Sequence, residues 1–178
     1  DLQPILADGN AITSLAYGGG VWAVVYSQGS GWSNQVWEIS SSFPEAAIQQ
    51  RWSEGYDVTN LAYGDGTWVV VFSQNTGFSD QGWNTAADLS DDPIAQRLAD
   101  GYSITSLAHA EDLWAVVFSV GSGLDGQDWA QDSAFPESAI DAAWQEDRSI
   151  TSLVYGDGLW TAIFALESPF TTQAWNLK

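Results

Sequence analysis

The chain has 178 residues, 23 acidic against 4 basic side chains, a formal net charge of −19, 11 tryptophans and no cysteine. Its aromatic content excludes an acidic disordered chain. The missing cysteine excludes a disulfide scaffold, a thiol nucleophile and a zinc–thiolate site, and the scarcity of Lys and Arg argues against nucleic acid as a partner.

The length suits one domain, and no apolar run approaches the ~18 residues of a membrane-spanning helix. The sequence starts at Asp1 rather than Met, as expected of a processed product or a segment of a longer chain. Residues 1–6, followed by Asp8-Gly9, predict the end of a helix. Residues 12–17 and 22–26 are rich in branched and aromatic side chains and predict two strands. A polar Gly/Ser-rich loop follows from Gln28 to Asn34, then a third short strand from about Gln35 to Ile39. Ser42 as a cap, Pro44 near the first turn and Glu45 after it predict a helix start, and Gly55 predicts its end.

These elements then recur. Ile12-Thr13-Ser14-Leu15-Ala16-Tyr17-Gly18 aligns with segments starting at Val58, Ile104 and Ile150, at ungapped ~46-residue spacing. Trp recurs at 22, 68, 114 and 160, and again at 37, 83, 129 and 175. The hairpin link is Gly-Asp-Gly at 64–66 and at 156–158, which favours a tight turn. Each unit therefore reads as strand, strand, strand, short helix. The units run over about 5–50, 51–96, 97–142 and 143–178, with residues 1–10 completing the last. A three-stranded unit leaves edges and apolar faces open, and stacking covers them. The expected fold is all-β with short helices: a small closed β-propeller of four blades whose termini meet to close the ring. An open solenoid is the rival, but it would need polar capping units.

The repeated residues divide by role. Trp22, Trp68, Trp114 and Trp160 lie in apolar runs and are expected between blades, and Trp37, Trp83, Trp129 and Trp175 are expected to pack on the third strand. Thr13, Thr59, Thr105 and Thr151 are identical and predict a buried hydroxyl bonded to a neighbouring strand. Asp8, Glu54, Asp100 and Glu146 stand at helix C-termini, where the dipole disfavours an acid. An indole N–H or a backbone amide of the next blade is their expected partner.

The candidate ligand-binding residues are the loop tips Trp32, Phe78, Leu124 and Phe170, with the identical glutamines Gln35, Gln81, Gln127 and Gln173 beside them. A large apolar side chain among Gly, Ser, Asn and Thr is not needed by the local backbone, and loops on rigid scaffolds carry function. An aromatic ring flanked by amides and hydroxyls suits a sugar face, and a neutral sugar needs no cation. A primary amide can equally pin the loop to the backbone. His109 is the only histidine, so neither a metal site nor a His-based triad is expected, and near-identical repeats argue against one asymmetric catalytic constellation. No enzyme activity, no cofactor and no metal are expected.

The phrase Trp52-x-x-Gly55-Tyr56-x-Val58-Thr59, the run Trp-Val-Val-Val-Phe-Ser at 68–73 and the tail Phe78-x-Asp80-Gln81 resemble a known repeat. It is the tandem repeat region that follows the kinase domain in plant casein-kinase-like proteins and also occurs in bacterial chains. The resemblance spans the whole chain and implies a binding or scaffolding module with no catalytic residue. The period and the Trp-and-Gly pattern are also similar in architecture to tachylectin-type propeller lectins. The expected function is a non-enzymatic multivalent binding module that takes a glycan through its loop tips. The alternative is a structural or protein-interaction propeller that self-assembles as a homo-oligomer. The acidic charge leans toward a saline or extracellular medium, where salt screens self-repulsion.

Overall fold

The hairpins form where the branched runs placed them. The computed structural model describes residues 9–89 and 91–177, so the expected helix end in residues 1–6 and the acid Asp8 lie outside the described residues. In chain order the strands are β1 (Ala11–Gly18), β2 (Val21–Ser27), β3 (Ser33–Ser40), β4 (Asp57–Gly64), β5 (Thr67–Gln74), β6 (Asp80–Ala86), β7 (Ser103–Ala110), β8 (Leu113–Val120), β9 (Asp128–Asp132), β10 (Ser149–Gly156) and β11 (Leu159–Ala165). Among the described residues three short helices, α1 (Glu45–Ser53), α2 (Asp91–Ala99) and α3 (Glu137–Gln145), follow β3, β6 and β9. At Asp65-Gly66 both residues have positive φ (51° and 71°), which matches the right-handed twist of the paired strands.

The sheets do not coincide with the sequence repeats. Among the described residues there are four antiparallel sheets, ordered β1-β2, β3-β5-β4, β6-β8-β7 and β10-β11-β9. The third strand of each of the first three repeats thus leaves its own hairpin and pairs with the middle strand of the next. Loop length explains the departure. A two-residue turn forces β4 and β5 together, whereas the longer Gly-rich loop before each third strand imposes no local pairing. The register is the same each time: Trp37 lies opposite Val71, Trp83 opposite Val117 and Trp129 opposite Ile163.

Each inner strand carries a bulge at its threonine, with register shifts between Ile12 and Ser14, Val58 and Asn60, Ile104 and Ser106, and Ile150 and Ser152. The threonine hydroxyl serves the neighbouring strand, as expected. Thr59 Oγ1 meets Ser73 Oγ at 2.7 Å and donates to the Val71 carbonyl at 3.4 Å. Thr105 repeats both contacts with Ser119 and Val117.

The core lies between the sheets. Trp68, Val70 and Phe72 of the second sheet pack with Ala108, Ala115 and Val117 of the third. Trp114, Val116 and Phe118 then pack with Ile163 of the fourth. Each helix buries one isoleucine at the same repeat position: Ile48, Ile94 and Ile140. Pro44 and Pro136 hold the N-cap position of α1 and α3, so Ser42 is not the cap. Gly55 follows α1 at φ 79°, in the left-handed conformation that ends a helix.

The acids at the helix ends find partners inside their own segments, which corrects the expected bond to the next blade. Glu54 accepts from Gln50 Nε2 at 2.8 Å and from Arg51 at 2.9 Å, and Asp100 accepts from Gln96 Nε2 at 3.0 Å. Glu146 accepts from Arg148 Nε at 3.2 Å. A donor one helical turn back, or two residues on, is nearer than any group across the sheet boundary.

Two boundaries between sheets depend on a missing side chain. A Cβ built on Gly64 would stand 2.2 Å from Tyr17, and one on Gly156 would stand 2.1 Å from His109. His109 packs against Trp114 with ring centroids 4.5 Å apart and the rings tilted by 58°, and its buried Nε2 has no hydrogen-bond partner. Burial holds its pKa below the ordinary value, with Asp157 and Asp112 opposing in part. A folded pKa below the unfolded one gives stability that is present above the unfolded pKa of about 6.5 and lost as pH falls. The thermal midpoint should therefore fall between about pH 7 and about pH 5.5 in the native chain. That fall should be smaller in His109→Tyr, which restores the residue of the other three repeats, when both are followed by circular dichroism.

Candidate functional site: a central uncharged cavity

The four bulged strands, β1, β4, β7 and β10, all border one cavity of ≈ 830 Å³. Its wall repeats with the sequence. Thr13, Thr59, Thr105 and Thr151 contribute to it, as do Leu15, Leu61, Leu107 and Leu153. The position between them is Ser14, Asn60, Ser106 or Ser152. Asn60 Nδ2 donates to the Thr13 carbonyl at 3.1 Å and so ties the second inner strand to the first.

All four predicted loop tips, Trp32, Phe78, Leu124 and Phe170, line this same cavity. Their backbones are held by one device. The N–H of each tip donates to the hydroxyl two residues earlier: Trp32 to Ser30 at 3.2 Å, Phe78 to Thr76 at 3.1 Å, Leu124 to Ser122 at 3.2 Å and Phe170 to Ser168 at 3.3 Å. Thr76 in addition donates to Asp57, which anchors the second tip to the start of β4; burial raises the Asp57 pKa, and the Thr76 bond opposes that. Trp32, Phe78 and Leu124 are half-buried, and Phe170 is exposed. Positive-φ glycines flank the first three tips, whereas Pro169 precedes the fourth.

The four glutamines do not line the cavity. Each amide pairs with the backbone of one residue of its own repeat's inner strand, as a neighbouring strand would. Gln81 Oε1 accepts from Val58 N at 2.7 Å while its Nε2 donates to the Val58 carbonyl at 2.9 Å. Gln35 does the same to Ile12, Gln127 to Ile104 and Gln173 to Ile150. Because Gln35 and Gln81 sit on strands of the following sheet, where they also donate to Ser73 at 2.9 Å and Ser119 at 2.8 Å, they staple one sheet to the next. Gln81 Oε1 additionally accepts from the Trp52 indole at 2.9 Å. A ligand would have to displace these bonds to use the amides. Gln81→Leu leaves three polar groups unpaired and is expected to cost about 2–3 kcal/mol in urea denaturation.

Of the inner-strand lining residues, the sequence points to the four threonines but not to the Ser/Asn and Leu positions beside them. Their signal was there: the Ser/Asn position follows the identical threonine in every repeat. Residue type alone does not encode that these strands border the cavity. Among the described lining residues none is charged, in a chain with 23 acidic side chains.

This is an all-β repeat protein whose sheets gather equivalent uncharged positions around one cavity. The family model described as "Domain of unknown function (DUF7477)" matches residues 6–160, and the chain belongs to that family. No curated protein matches the chain. Among the described residues no helix is long and apolar enough to cross a membrane, and no group of His, Asp and Glu is placed to hold a metal ion.

Proposed function

We propose that the chain is a non-enzymatic binding module, a closed four-bladed propeller that takes a neutral carbohydrate in its central cavity. The observation that carries this reading is the uncharged lining, drawn from the same positions of four repeats and bordered by Trp32, Phe78, Leu124 and Phe170. An uncharged wall inside an acidic chain gives an ionic ligand no counter-charge and leaves its desolvation cost uncompensated. A sugar offers instead a C–H face for aromatic rings and hydroxyls for Ser, Thr and Asn. The volume falls in the about 300–1,000 Å³ range of small-molecule pockets.

The tips converge on one cavity, so they serve one composite site rather than four independent weak ones. Their contributions then fall within a single binding event, and avidity across separated sites is not needed. A glycan array probed with the intact chain is expected to give hits among neutral glycans. Trp32→Ala and Phe78→Ala should each weaken those hits at least tenfold while the chain stays folded by circular dichroism. An array with no neutral glycan bound, or hits that survive both substitutions, would defeat the reading.

A further inference from the structure

Among the described residues the first sheet differs from the others in having two strands, and the faces it leaves open have a match at the other end of the chain. On β2, Val25 is 53% exposed, whereas its counterparts Val71, Val117 and Ile163 are 0%, 0% and 2% exposed. Val21 is exposed as well. In the fourth sheet Tyr155 is 57% exposed. Its counterparts Tyr17 and His109 lie against Gly64 and Gly156, but nothing lies within 4 Å of a Cβ built on Gly18. One boundary, made twice over by a ring against a glycine, therefore has both halves present and apart.

The segment after the fourth tip is already held as the other third strands are. Gln173 clamps Ile150 at 2.6 and 2.7 Å, as Gln81 clamps Val58. Trp175 packs against Phe135 with centroids 4.9 Å apart, as Trp83 packs against Phe43 at 5.1 Å. Residues 173–177 nonetheless form no strand. Their polar backbone groups and the free edge of β2 are complementary, and unpaired strand edges recruit partners.

We infer that the outer strand of the first sheet is residues 173–177 of the same chain, zipped antiparallel onto β2. This deepens the closed-ring reading by naming the strand that closes it. The three formed sheets fix the register, which places Val25 opposite Trp175, Val24 opposite Asn176 and Ala23 opposite Leu177. Two further contacts follow from the same repeat relation. Gln173 Nε2 reaches the Ser27 hydroxyl, as Gln35 reaches Ser73, and Tyr155 settles on Gly18. The strand comes from the same chain because β1 and β10 border one cavity, so the two ends already face each other. Closure also completes the wall between Leu15 and Leu153, both of which line that cavity.

Hydrogen exchange on the native chain tests the pairing. Amides of residues 173–177 are expected to be protected to the degree of β9; exchange as fast as in the loop at 166–170 would overturn the inference. The absence of native cysteine allows a second measurement. Val24→Cys/Asn176→Cys is expected to form a disulfide within one chain on mild oxidation, at the register that Ala162 and Ala130 occupy in the fourth sheet. A disulfide-linked dimer would give the strand to a second copy and overturn the same-chain assignment, and no disulfide would overturn the register. Glycan binding is read separately. A chain that binds neutral glycans but leaves 173–177 unprotected keeps the function and loses this closure, and the converse result does the reverse.

Discussion

The donation of one strand per repeat to the following sheet is the constraint on which the structure depends. No repeat completes a sheet by itself. The hairpin of one repeat needs the third strand of the repeat before it, as β4 and β5 need β3. Each boundary between consecutive sheets is then crossed by covalent chain, by strand pairing and by a glutamine amide that stands in for a strand. Gln81 joins Val58, Ser119 and the Trp52 indole in one cluster, so sliding one sheet against the next would break several hydrogen bonds together. Cooperative loss of this kind favours one fixed angle between sheets over a range of angles.

That fixed angle is what makes a cavity. Each inner strand carries its bulge at the threonine, and the threonine hydroxyl ties the strand back to its own sheet. The residues around the bulge are short and uncharged, so four strands approach without electrostatic repulsion despite the net charge of −19. The described acids fall outside this lining, several of them on exposed helix ends and hairpin turns such as Glu54 and Asp65, where water screens them. The cavity wall accordingly carries no charged side chain among its described lining residues. The loop tips reach the same cavity because a hydroxyl two residues before each tip fixes the turn, which places a bulky side chain without a long loop.

Much of this was legible in the sequence, and the part that was not has a physical origin. The strands, hairpin turns and helix ends follow from local chemistry: branched and aromatic runs, Asp-Gly pairs with positive φ, and Gly55 after α1. The repeat showed that the boundaries between units must be equivalent. It did not show which strand pairs with which, because the third strand has the same composition whether it folds back on its own hairpin or crosses to the next. The glutamines show the same ambiguity. An amide identical in four repeats fits a ligand contact or a backbone clamp equally well, and only the position of Ile12 and Val58 beside it decides for the clamp.

The amino-acid sequence by itself determined the periodicity, the all-β character, the short helices and the tips that carry large side chains, since each follows from residue type and spacing along the chain. Tertiary structure alone decided that sheets are shared between neighbouring repeats, that the helix-end acids are satisfied locally, and that four tips meet at one uncharged cavity. Those outcomes turn on the angle and register between sheets. Both are set by packing between residues far apart in the chain, such as Tyr17 against Gly64, and nothing in the local sequence encodes them.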